Sequence, residues 1–140
     1  VAVNKDFTYV YASNGQETLI LEKNLAANLV PDYKITKEVK GEQLTSLSYT
    51  HVFGKRPSCP VVTAEYVTKD DGTGIVHIAP GHGQEDYQVG LKNNLPVVMP
   101  VNNKGVFTEE GVPFTGQFVF KANDVIIKDF HNFLDTFFDE

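Results

Sequence analysis

Apolar and polar positions alternate with a period of two along much of this chain, and helical spacing appears in only three stretches. Residues 7–12 alternate and are rich in aromatic and β-branched types, which predicts a strand. Ser13-Asn14-Gly15 is a turn signal, and residues 18–21 read as the returning strand of a hairpin. Alternation resumes over residues 33–39, and residues 61–67, 75–79 and 96–101 predict further strands. Residues 41–51 carry only the scattered apolar anchors Leu44, Leu47 and Tyr49, so their element type stays open.

The helical stretches are residues 22–29, 84–93 and 122–138. The first ends before Pro31. The second aligns Tyr87, Leu91 and Leu95 on one face. The third carries Ile126, Phe130, Phe133, Leu134 and Phe137 on one stripe, with Asn123 as its expected cap. Many short strands with two or three helices imply an α+β, β-rich class, a barrel-like mixed sheet with peripheral helices.

Composition narrows this picture. A chain of 140 residues fits one domain, and 41% hydrophobic residues suffice to bury a core, so global disorder is excluded. The net charge is −6 and Arg56 is the only arginine. A domain gripping nucleic acid unaided would carry a basic face, so any such contact is local or supported by a larger protein. The single cysteine, Cys59, rules out an internal disulfide and fits a reducing, cytoplasmic setting. It sits in the turn Arg56-Pro57-Ser58-Cys59-Pro60, where a structural role is the simplest reading. No apolar run reaches membrane-spanning length, and no signal peptide is visible. Position 1 is valine rather than methionine, and the chain stops inside a predicted helix. We therefore expect a single domain, residues 1–140, taken from a longer protein.

The stretch that carries chemistry runs from Gly72 to Tyr87: Gly-Thr-Gly-Ile-Val-His-Ile-Ala-Pro-Gly-His-Gly-Gln-Glu-Asp-Tyr. It reads as a buried strand, a glycine-rich turn and a helix start. Gly81 and Gly83 are expected to let the backbone take strained angles and a ligand approach closely. Glu85 and Asp86 fall in the first helical turn, where the helix dipole favours ionised carboxylates. An ionised carboxylate beside an open glycine turn suits a cation such as an α-amino group. His77 offers a donor or acceptor near neutral pH if it faces the same pocket; the competing reading is a hydrogen-bonded core histidine. For Glu85 and Asp86 the competing reading is ordinary helix-start chemistry, and for His82 plain exposure. The set His77, His82, Glu85 and Asp86 matches no established zinc spacing, so no metal site is expected. Gly72-Thr73-Gly74 lacks the lysine of a phosphate loop.

The same run closely resembles the signature of the editing domain inserted in bacterial-type isoleucyl-tRNA synthetases. Residues 95–110, including Pro100-Val101 and Gly105-Val106-Phe107-Thr108-Glu109-Glu110, resemble the segment downstream of that signature. Val1-Ala2-Val3-Asn4 and Asp6-Phe7 resemble the segment leading in. Valyl and leucyl enzymes lack histidine at the His77 position and have Ala-His-Asp where this chain has Gly81-His82-Gly83. The resemblance implies hydrolysis of valyl-tRNA(Ile) by water, because no Ser-His-Asp or Cys-His nucleophile is evident. It implies that Asp86 anchors the α-ammonium, that His77 contacts the aminoacyl or ribose end, and that Gly74, Gly81 and His82 shape the substrate site. It also implies tRNA and the rest of a synthetase as partners. No cofactor is expected in this domain, with ATP and magnesium used elsewhere in the parent enzyme. The alternative is a silent tRNA-docking or structural insert. The family's Thr-Thr-x-Pro-Trp-Thr strand is absent from this sequence, which contains no tryptophan. The chain is therefore expected to hold part of the pocket and to hydrolyse weakly alone.

Overall fold

The structure is a computed structural model that describes residues 1–51 and 58–138, with side chains described as far as Asp129. Arg56, Pro57 and the apolar stripe from Phe130 to Phe137 therefore lie outside the described residues or side chains.

Strands β2 (Thr8–Ser13) and β3 (Thr18–Glu22) form the hairpin expected from the alternation, paired Tyr9 to Glu22 through Ser13 to Thr18. Gly15 closes its turn at φ 94°, and the Asn14 side chain accepts from the amides of Gln16 and Glu17. Strand β4 (Lys34–Lys40) adds to the other edge of β2, with an irregularity between Tyr11 and Ala12, to give the order β3-β2-β4. Helix α1 (Lys23–Leu29) follows β3 directly. The buried Glu22 carboxylate accepts from the amides of Asn24 (2.7 Å) and Leu25 (3.1 Å) and so caps the helix.

A second sheet has the order β7-β1-β8. Here β1 (Ala2–Val3) runs parallel to β7 (Val62–Thr63) and antiparallel to β8 (Ile75–Val76). Strands β5 (Ser48–Tyr49) and β6 (Cys59–Pro60) pair separately. The open stretch after β4 resolves into the short helix α2 (Gly41–Leu44) and β5. The α+β class holds, but the described strands form separate ladders rather than a closed barrel.

Other expectations shorten for clear reasons. Of residues 61–67 and 75–79, only two in each join a ladder. Residues 96–101 form no strand; Val101 alone makes an isolated bridge, to Phe107. Pro96 and Pro100 each remove a ladder donor there. The Met99 amide donates instead to the Glu110 carboxylate at 3.0 Å. Helix α3 (Gln84–Lys92) is where the spacing put it, but a different face docks. Tyr87 and Leu91 are exposed, while Gly90 is buried against Pro80, and Val89 and Leu95 pack on the core. Helix α4 (Val119–Phe138) begins before residue 122, so Asn123 lies inside it and is not its cap.

Among the described residues the core has three parts. Val10, Ala12, Leu21 and Ala26 hold α1 on the hairpin. Val3, Tyr9, Val39 and Leu44 bind the two three-stranded sheets together, with Ile75 packed against them. Ala2, Val62, Ala64 and Val67 receive Val89 from α3 and Ile78 from the chain beyond β8. Tyr9, with no exposed surface, links these parts through polar bonds: its hydroxyl accepts from the Asn4 amide at 3.0 Å and donates to the Gly74 carbonyl at 2.7 Å. The second core part and this bond fix β8, and with it the start of the chemistry-bearing segment.

Candidate functional site

Beyond β8 the chain leaves the ladder and runs through His77, Ile78 and Ala79 into the turn before α3. Ala79 is tied at both ends. Its carbonyl accepts from the amides of His82 (2.9 Å) and Gly83 (3.3 Å), and its amide donates to Asp86 Oδ2 at 2.9 Å. Asp86 Oδ1 accepts from the Tyr66 hydroxyl at 2.6 Å. One carboxylate at the head of α3 is thus held by a donor from each of two separate segments. Gly83 is the N-cap, with backbone in the extended region.

Electrostatics follow from that geometry. Partial burial pushes the Asp86 carboxyl up, but the Tyr66 hydroxyl, the Ala79 amide and the nearby His77 outweigh it, and the net shift is downward. Tyr66 moves well up, first by burial, then by donating to Asp86, then by the negative charges of Asp86 and Glu85. Asp86 therefore stays ionised, and Tyr66 stays protonated as its donor.

His77 is exposed rather than buried in the core, and so is His82. Both line a pocket of about 370 Å³ with Tyr49, His51, Cys59 and Glu110. Its remaining wall is mainly apolar and includes Ile78, Val98, Val112 and Phe114. Asp86 does not line this pocket; its bonded neighbour Ala79 does. A separate, open pocket of about 480 Å³ is lined by Tyr66, Glu85, Lys5 and Lys92 among others. Asp86 is therefore bonded to one residue from each lining.

The glycines divide. A Cβ on Gly81 would stand 2.4 Å from the Val98 carbonyl oxygen, so glycine is required where the turn meets the segment after Pro96. Neither Gly81 nor Gly83 has positive φ, so the expected backbone strain is absent at both. Gly74 does have positive φ, 73°, and is buried against Glu22, where a Cβ would lie 2.5 Å from the Glu22 Cβ. It lines neither of the pockets just described. Among the described residues, no group of three or more His, Cys, Asp or Glu side chains could hold a metal ion. Likewise, no described helix is long and apolar enough to cross a membrane.

Residues 12–125 match the sequence model of the family described as "Leucyl-tRNA synthetase, editing domain". The chain belongs to the synthetase editing-domain family. Within it, the relatives are of the isoleucyl type. The isoleucine–tRNA ligase of Acholeplasma laidlawii is 41% identical over 100% of this chain, and that of Symbiobacterium thermophilum is 45% identical over 91%. The chain spans only 16% and 14% of those two proteins. A solved structure described as "The crystal structure of GlLeuRS-CP1" superposes with a TM-score of 0.69, covering 91% of this chain and 72% of that one. At 17% identity that likeness is one of fold.

In this editing domain the fold brings His77, His82 and the Gly81 turn to one pocket edge, whereas Gly74, expected at the substrate site, is buried against Glu22. The sequence reading missed Tyr66, Tyr49, His51 and Glu110. Tyr66 lies twenty positions from its partner Asp86, and no local spacing signals such a pair. Cys59, read as structural, also lines the pocket.

Proposed function

We propose that this chain is the hydrolytic editing domain of an isoleucine–tRNA ligase and that it clears valine esterified to tRNA(Ile). The observation that carries the reading is the Asp86 carboxylate, tethered by two donors and kept ionised, close to the exposed His77 at a largely apolar pocket. An ionised carboxylate next to an apolar cavity suits an α-amino acid ester: the ammonium pairs with Asp86 and the aliphatic side chain enters the cavity.

Such a site has an energetic reason to exist. One methylene separates valine from isoleucine, worth only about 1–3 kcal/mol of discrimination, so a second, smaller sieve is needed. In the proposed step a water oxygen adds to the ester carbonyl carbon. The bond from that carbon to the ribose oxygen breaks, a proton passes to the ribose, and valine and free tRNA leave. His77 contacts the aminoacyl or ribose end, His82 stands at the pocket edge, and the Gly81 turn holds both in place. Gly74 acts at a distance, by letting β8 close onto Glu22 and Tyr9.

The tRNA grip comes mainly from the rest of a longer ligase, in keeping with the net charge of −6. ATP and magnesium serve that ligase elsewhere, and the cytoplasm is its place of work. His77, exposed at the pocket edge and electrostatically close to Asp86 rather than buried and turned away from it, favours hydrolysis over a silent docking insert.

The test is deacylation of valyl-tRNA(Ile) by the intact ligase carrying Asp86→Ala. Loss of an ammonium anchor is expected to slow deacylation by roughly 10- to 100-fold, the scale of a charge-assisted hydrogen bond, with isoleucine charging intact. Unchanged deacylation would remove Asp86 from the reading.

A further inference from the structure

We infer that Tyr66 is a positioning residue for editing: its hydroxyl fixes the plane and the open lone pairs of the Asp86 carboxylate. The inference rests on Asp86 being the ammonium anchor and extends that reading to a residue outside the signature segment.

A carboxylate offers about four acceptor sites. Tyr66 occupies one on Oδ1 at 2.6 Å, and the Ala79 amide occupies one on Oδ2 at 2.9 Å. Each oxygen keeps a lone pair for an incoming ammonium. The two donors come from different segments, so the carboxylate cannot swivel about its own bond without breaking one of them. The position of the hydroxyl is itself set by the core, because Tyr66 packs against the cluster of Ala2, Val62, Ala64 and Val67. With Tyr66 removed, only the backbone amide of Ala79 would orient the group, and Oδ1 could turn away from the substrate.

Tyr66 also acts on charge. A hydroxyl donating to the carboxylate favours its ionised form, the form an ammonium needs. The other titratable groups facing the pair are His77 and Glu85, and Lys5, Glu65 and Lys92 around the open pocket that Tyr66 lines.

The experiment is the pH profile of kcat/KM, from about pH 2.5 to 8 so that it reaches below the ordinary carboxylate value, for valyl-tRNA(Ile) deacylation by the intact ligase. It compares wild type, Tyr66→Phe, 3-fluorotyrosine placed at position 66, and Asp86→Ala, with isoleucine charging as the control for folding. For Tyr66→Phe we expect KM to rise roughly ten-fold with a smaller change in kcat, and the acid limb to move to higher pH. Fluorotyrosine, a stronger donor of nearly the same shape, is expected to move the acid limb to lower pH. Wild-type KM and acid limb in Tyr66→Phe, alongside a crippled Asp86→Ala, would overturn the Tyr66 inference and leave the anchor standing. Full activity in Asp86→Ala would overturn the anchor, and the role of Tyr66 with it. If Tyr66→Phe fails the charging control, fluorotyrosine decides: an unmoved acid limb overturns the inference.

Discussion

At the residue scale, a few side chains do work that no neighbour can take over. Tyr9 is one. Its hydroxyl sits between the half-buried Asn4 amide and the buried Gly74 carbonyl, so Tyr9→Phe leaves both without this partner. A cost of about 1–3 kcal/mol is expected, read as a lower urea midpoint with an unchanged slope. Gly74 is another. Gly74→Ala meets both a left-handed backbone and the Glu22 Cβ, and is expected to lose at least as much stability as Tyr9→Phe in the same measurement. By resemblance the sequence placed Gly74 at the substrate site rather than against Glu22. It could not distinguish a glycine that admits a ligand from one that admits a neighbouring strand, because both show only the lack of a Cβ.

At the scale of elements, the local rules held best where the chain satisfies itself. The β2–β3 hairpin closes through its own Asn14 and Gly15, so alternation and turn chemistry located it closely. Helix α1 is capped by Glu22 from the preceding strand. Glu22→Ala is expected to cost about 0.5–2 kcal/mol, read as a lower urea midpoint, and to fray the first turn of α1. Local rules failed where the partner is remote. Helix α3 was visible from its spacing, yet its docking face was not, because Pro80 reaches Gly90 and turns the smallest residue of the helix inward. The segment from Pro96 to Val101 has strand-like side chains but too few amide donors for a ladder, and it serves instead as a pocket wall.

At the scale of the whole molecule, the Tyr66–Asp86 bond couples stability to pH from both sides. The Asp86 carboxyl is lowered on folding, so its contribution is present above the unfolded carboxylate value near 4 and is lost as pH falls through the folded one. The Tyr66 hydroxyl is raised on folding, so its contribution is complete below the unfolded value near 10 and is lost as pH rises through the folded one. Chemical denaturation across pH is expected to show a plateau between these limits, and Tyr66→Phe to lessen both declines. By itself, the sequence determined the β-rich α+β class, the hairpin, the glycine turn, the resemblance to editing domains and the candidacy of His77 and Asp86, since each is written in contiguous residues through local sterics, hydrogen bonding or a signature run. Only the tertiary structure decided that the strands form separate ladders, that His77 faces solvent at an apolar pocket, and that Asp86 is held by Tyr66. Those depend on contacts between segments far apart in the chain, which are settled by how the three parts of the core pack together rather than by any local pattern.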